Sequence, residues 1–138
     1  MAKKKILIID DDPDVRAGLN IRLRASGYDT GFATDALSAV ATARKLNPDL
    51  IILDLGLPAG DGFVVMQRLK AIPALAVIPV IVLSARDREA NENRVIMAGA
   101  QAFLQKPFDD GELLVEIRSA LGEDSPPGTE ERRRRASD

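Results

Sequence analysis

The chain is predicted to be an α/β protein, with five βα units winding one five-stranded parallel sheet into a doubly wound fold. Three observations predict this. Short runs rich in Ile, Val and Leu recur at Lys5-Ile-Leu-Ile-Ile9, Leu50-Ile-Ile-Leu53, Pro79-Val-Ile-Val-Leu83 and Ala102-Phe-Leu-Gln105. Such near-continuous apolar runs suit strands covered on both faces. Between them lie stretches with helical apolar spacing, as parallel crossovers require. A chain of 138 residues with 46% hydrophobic content fits one domain with a real core.

The elements follow in order. After the first strand, Asp12 caps a helix with Pro13 at its first position, where the missing N–H does no harm. Val15, Leu19 and Leu23 form its apolar stripe and Gly27 ends it. Tyr28–Phe32 is a less apolar second strand, expected nearer an edge. Thr34 is expected to cap a second helix that carries Leu37, Val40 and Ala41 inward through Leu46, with Asn47-Pro48 as its stop. Leu50–Leu53, the most apolar strand, is expected at the centre. The loop from Leu55 to Gly62, with Pro58 and Gly60 as turn residues, leads to a helix over about Phe63–Ile72. After the fourth strand comes a helix over about Asp87–Met97 closed by Gly99, and Met66, Met97 and the alanine-rich faces are read as core filler. Asp109 and Glu112 form a capping box for a last helix with Leu113, Ile117 and Leu121 on one face. Residues 1–121 make the folded domain. From Gly122 to Asp138 the adjacent prolines and lack of periodicity predict a disordered tail or truncated linker.

Composition excludes several chemistries. The chain has no Cys and no His, which removes disulfides, thiolate nucleophiles, Ser-His-Asp triads, His- or Cys-ligated metals and a phosphohistidine of its own. Net charge is −2, and the basic residues are scattered apart from Lys3–Lys5 and Arg132–Arg135, so no nucleic-acid footprint is expected on the folded body. The Arg run followed by Ser137 faintly resembles a kinase-recognition stretch, but charge runs in tails are usually solvated. No run is long enough to span a membrane, and Ile6–Ile9 is too short for a signal peptide, so the cytoplasm is the expected location.

The strand ends carry the chemistry. Asp10-Asp11-Asp12, Asp54, Ser84 and Lys106 each follow an apolar run. In an open parallel sheet the ligand crevice lies outside the carboxyl ends of the strands, so these residues should meet there. Asp10, Asp11 and Asp54 together need a cation, and oxygen ligands alone suit Mg²⁺, with Mn²⁺ or Ca²⁺ as alternatives. Asp12 reads more simply as the helix cap. A metal, an ammonium and a hydroxyl around one carboxylate can neutralise the oxygens of a transferring phosphoryl group. Aspartate can itself be the nucleophile. Asp54, on the central strand, is the best placed.

The set Ile8-Ile-Asp-Asp11, Leu53-Asp-Leu-Gly-Leu-Pro58, Asp61-Gly62, Leu83-Ser-Ala85 and Lys106-Pro-Phe108 resembles the receiver domain of two-component response regulators, the CheY-like family, over about residues 4 to 121. The resemblance implies a flavodoxin-like receiver fold with Asp54 as phosphoacceptor. It implies Mg²⁺ held by Asp11, Asp54 and the Gly56 carbonyl, with Asp10 assisting, and phosphoryl oxygens held by Ser84 and Lys106. A cis bond between Lys106 and Pro107 is implied too, and Mn²⁺ could replace Mg²⁺. Phe103 takes the place of the aromatic that moves with the hydroxyl residue, though core packing is an equal reading of it. Gly56 leaves open space beside Asp54 and Arg86 lies just past Ser84, places where side-chain groups could shield an acyl phosphate from water.

The implied partners are a sensor histidine kinase or histidine phosphotransfer protein on one side, and an effector protein or output domain on the other. The partner-reading surface would be roughly Asp87–Leu121, and a homodimer through the last helices is left open. No direct nucleic-acid or membrane contact is implied. As a phosphoacceptor the chain would not be an enzyme, assisting only its own phosphorylation and dephosphorylation. Two alternatives compete. One is a receiver-like scaffold that is not phosphorylated, which would require loss of a site residue. The other is an aspartyl-phosphate phosphatase or phosphotransferase of the haloacid-dehalogenase type, which places a second Asp where Gly56 stands.

Overall fold

The computed structural model describes residues 3–57, 62–85 and 88–123. Pro58, Gly60, Asp61, Arg86, Asp87 and residues 124–138, which carried the expectations about the loop, the shielding group, a helix start and the tail, lie outside them.

The elements run β1 (Lys5–Ile9), α1 (Pro13–Ala25), β2 (Asp29–Ala33), α2 (Ala36–Leu46), β3 (Leu50–Asp54), α3 (Gly62–Ala71), α4 (Pro73–Ala76), β4 (Val80–Ser84), α5 (Arg88–Met97), β5 (Ala102–Gln105) and α6 (Asp110–Leu121). The five strands are all parallel, in the order β2-β1-β3-β4-β5. Leu50–Asp54 is therefore central and Asp29–Ala33 an edge strand, as their apolar content predicts.

Alternate residues of β1, β3, β4 and β5 feed two separate cores. Leu7, Ile9, Ile51, Leu53, Val80, Val82 and Phe103 pack with α2, α3, α4 and α5 on one face. Ile6, Ile8, Leu50, Ile52, Ile81, Leu83 and Leu104 pack with Leu19 and Leu23 of α1 and Leu113 and Ile117 of α6 on the other. Burial of both faces explains why the strands read as continuous apolar runs.

The ends of α1 form as expected. The Asp12 carboxylate accepts from the Asp14 and Val15 amides, Pro13 opens the helix, and Gly27 takes φ +93° just beyond its end. At α6, Asp109 accepts from the Gly111 amide, and Gly122 closes the helix in the left-handed region at φ +70°. Glu123 is held as well, accepting a 2.9 Å hydrogen bond from the buried Tyr28 hydroxyl.

The second helix differs from expectation. Asp35, not Thr34, is its N-cap, accepting from the Ser38 amide. Ala36, Ala39 and Ala43 face the sheet, Val40 is partly buried, and Leu37 and Ala41 are exposed, Leu37 at 75%. The cause is close approach. Leu46 packs where a Cβ on Gly31 of β2 would stand, so this end of the helix lies close over the edge strand, and Ala36, Ala39 and Ala43 form the fully buried face beside the partly buried Val40 and Leu46. Met66 is core as expected, but Met97 is 87% exposed on the outer side of α5. The turn α4 was not expected; Pro73 at its first position is the signal for it.

Candidate functional site at the carboxyl edge of the sheet

The strand order reverses between β1 and β3, and a crevice opens at such a switch point outside the strand ends. Asp10 follows β1, Asp54 ends β3, Ser84 ends β4 and Lys106 follows β5. All four meet there. One carboxylate oxygen each from Asp10, Asp11 and Asp54 lies within 4.8 Å of the others. The Lys106 ammonium reaches between two of them, 3.1 Å from Asp10 Oδ2 and 3.7 Å from Asp54 Oδ1.

Asp10 is 2% exposed and Asp54 8%, whereas Asp11 opens to solvent. Asp10 Oδ1 accepts from the Asp12 amide at 2.9 Å, and its other oxygen takes Lys106. Asp54 Oδ1 accepts from the Gly56 amide at 3.1 Å. A Cβ at Gly56 would lie only 3.7 Å from both Asp54 oxygens, so glycine keeps that flank of the carboxylate open. Burial pushes the Asp54 carboxyl above the ordinary carboxylate value, opposed by the Gly56 amide and Lys106 and reinforced by Asp10 and Asp11.

Ser84 is fully buried, paired in register with Gln105 and one position beyond the Asp54–Leu83 pair. Phe103 lies across from Val82, two residues before Gln105, so its side chain shares the face of Ser84. The ring is buried at 5% exposure, and Arg88 donates to the Phe103 carbonyl at 3.1 Å while lying 5.8 Å from the ring centre. The Lys106–Pro107 peptide is cis, as the resemblance implies.

The donor set fits a hard divalent cation. Three carboxylates converge without His or Cys, one of them solvent-facing, which leaves room for the waters that Mg²⁺ retains. The structure thus brings Asp10, Asp11, Asp54, Gly56, Ser84 and Lys106 to one edge and leaves Asp12 as the cap of α1. Two arginines escaped the sequence reading. Arg88 grips the Phe103 backbone, and Arg16 Nη1 donates to the Asp10 carbonyl at 2.9 Å. The signal for Arg16 was a cation four residues past a helix cap in an acidic run.

Comparison with known proteins identifies the family and the fold. Residues 6–118 match the model of the response regulator receiver domain. The DNA-binding dual master transcriptional regulator RpaA of Synechocystis is 44% identical over 117 residues, covering 85% of this chain and 48% of that protein. The chain spans about half the length of the curated relatives it matches. Among solved structures, the chemotaxis protein CheY4 of Vibrio cholerae superposes with a TM-score of 0.81 at 28% identity, covering 87% of this chain and 100% of that one. The receiver domain of the sensor histidine kinase PA1611 of Pseudomonas aeruginosa, with a magnesium ion coordinated in its active-site cleft, gives 0.80 at 28% identity over 88% and 100%. With its five parallel strands in flavodoxin-like order and the family match covering most of its length, the chain belongs to the response regulator receiver domain family of two-component signalling.

Proposed function

We propose that the chain is a phosphoacceptor switch that takes a phosphoryl group from a phosphohistidine of a sensor kinase or phosphotransfer protein onto Asp54. An Asp54 carboxylate oxygen attacks phosphorus in line, the P–N bond to the imidazole breaks, and an acyl phosphate remains. Burial makes the Asp54 carboxylate more basic than usual, and hence a better nucleophile once ionised. Asp10, Asp11, Asp54 and the Gly56 carbonyl would hold Mg²⁺, or Mn²⁺ in its place. The cation supplies charge neutralisation for the phosphoryl oxygens and the attacking carboxylate.

Lys106 meets the developing charge on the phosphoryl group by exchanging its carboxylate contacts for phosphoryl oxygens. Ser84 donates from the fourth strand end. A shift of Ser84 toward the phosphoryl group vacates space on the face it shares with Phe103, which couples the site to the α5–β5–α6 side. There a downstream effector or an attached output domain would read the state, with residues beyond Leu121 as tail or linker. The chain would act in the cytoplasm and catalyse only its own phosphorylation and dephosphorylation.

The observation that carries this reading is the Lys106 ammonium within 4 Å of both Asp10 and Asp54 at the edge where three carboxylates converge. Intact mass after incubation with acetyl phosphate tests it. Wild type should gain one phosphoryl adduct with Mg²⁺ and none with EDTA, and Asp54→Asn should gain none. An adduct of normal yield on Asp54→Asn would refute the assignment.

A further inference from the structure

Asp10 and Asp11 are adjacent in sequence, and adjacent side chains in an extended strand point to opposite faces. Their carboxylates nevertheless converge with Asp54. The convergence is therefore set by the peptide that joins them, whose carbonyl belongs to Asp10. That carbonyl lies at the buried end of β1, in a residue only 2% exposed, past the last β1–β3 pair at Ile9 and Leu53. The Arg16 guanidinium reaches back from the first turn of α1 and donates to it at 2.9 Å. The Arg16 amide also donates to the Asp12 carbonyl at 3.0 Å, so one residue fastens the loop at both ends of the Asp11–Asp12 step. The Asp10 amide is held by Ala33 of β2 at 3.1 Å. The Asp10 residue is thus bracketed by its neighbours while Arg16 fixes the plane that follows it.

We propose that Arg16 is a positioning residue for the divalent cation, holding the Asp10–Asp11 peptide in the one orientation that aims both carboxylates at a shared point. The inference rests on the carboxylate trio being the cation site. Partners that orient a metal ligand typically change affinity about 10- to 100-fold when removed.

The sign of the effect separates positioning from charge. A guanidinium beside an anionic cluster repels a cation, so its removal as a mere charge would tighten binding. As a positioning group its removal weakens binding.

The test is Mn²⁺ binding to the folded protein, followed by electron paramagnetic resonance of the free ion. Wild type should bind one Mn²⁺, and Asp11→Asn and Asp54→Asn should weaken it. Arg16→Ala should weaken it about ten-fold or more. Arg16→Met, which keeps the aliphatic stem packed and loses only the head, should do the same. Unchanged or tighter binding in either Arg16 variant, with the Asp variants weakened, overturns the role of Arg16 and leaves the cation site standing. Binding that ignores Asp11→Asn and Asp54→Asn overturns the site itself, and the inference falls with it.

Discussion

Asp54→Asn should stabilise the protein without divalent cations and destabilise it relative to wild type with them. Both contacts of the wild-type carboxylate that the structure shows, from the Gly56 amide and Lys106, are made to Oδ1. An asparagine can keep both through its carbonyl oxygen, so the substitution removes a charge and little shape. At an effective dielectric of about 20, a repulsion across roughly 5 Å costs about 3 kcal/mol, and the Lys106 attraction at 3.7 Å offsets about 4 kcal/mol. Asp10 is buried and exerts its repulsion fully, while Asp11 is exposed and screened, so the charge terms nearly cancel. What remains is the cost of keeping a carboxylate at 8% exposure out of water. The expected gain is about 1–2 kcal/mol in EDTA at pH 7, a rise of about 3–8 °C in Tm.

The pH dependence follows from the same imbalance. Because the folded-state pKa of Asp54 is raised, the native state binds the proton more tightly than the unfolded chain. Stability from this group is therefore complete below the ordinary value of 3.8 and falls as pH rises through the raised folded value. The difference between variant and wild type should be present at pH 7 and vanish in acid. Mg²⁺ at about 100 times its Kd should then stabilise wild type by about 2.7 kcal/mol and the variant by less, reversing their order. Urea unfolding followed by circular dichroism reads each quantity. A variant less stable than wild type in EDTA, or a difference that persists below pH 3, would refute the reasoning.

Three other outcomes are expected. Leu37→Ser should change stability by no more than about 0.5 kcal/mol, because Leu37 is 75% exposed. Ala39→Leu should cost about 1–3 kcal/mol, since Ala39 is fully buried on the sheet-facing side of α2; thermal unfolding of both variants checks which face of the helix is inward. Tyr28 is the one tyrosine in a chain without tryptophan, and burial with the Glu123 hydrogen bond pushes its phenol from 10.0 up to about 12. Its ultraviolet titration should centre near that value in the folded protein and near 10.0 in the urea-unfolded chain. The stability it contributes should be intact below pH 10 and decline as pH rises toward about 12.

The sheet was legible because β1, β3 and β4 are buried on both faces, which leaves continuous apolar runs ended by polar residues. The meeting of Asp10, Asp54, Ser84 and Lys106 was legible for a related reason, since residues at the ends of parallel strands must share one edge. The orientation of α2 was not. Ranking side chains by hydrophobic size puts Leu37 inward, but Leu46 packs close over the glycine at position 31 of the neighbouring strand, and the fully buried residues of the helix are Ala36, Ala39 and Ala43. Helix depth over a sheet is a tertiary property, and within the segment it is recorded only as the i, i+3, i+7 spacing of Ala36, Ala39 and Ala43. Met97 is a similar case, an apolar residue left outside at the end of α5.

The trio of acids shows where strand-end reasoning stops. Topology brings the end of β1 beside the end of β3, which accounts for one carboxylate from each. It does not account for two from consecutive residues, because a strand sends consecutive side chains apart. The second requires the backbone to turn immediately after Ile9, and the turn is held by bonds that the apolar runs do not announce: the Asp12 amide to the Asp10 carboxylate, and the Arg16 guanidinium to the Asp10 carbonyl. The first is local and forms as soon as the loop does. The second spans six residues and exists only once the first turn of α1 has been laid down by Asp12 and Pro13. Helix capping, which looked like a purely structural reading of Asp12, is thus a precondition for the geometry of Asp10 and Asp11.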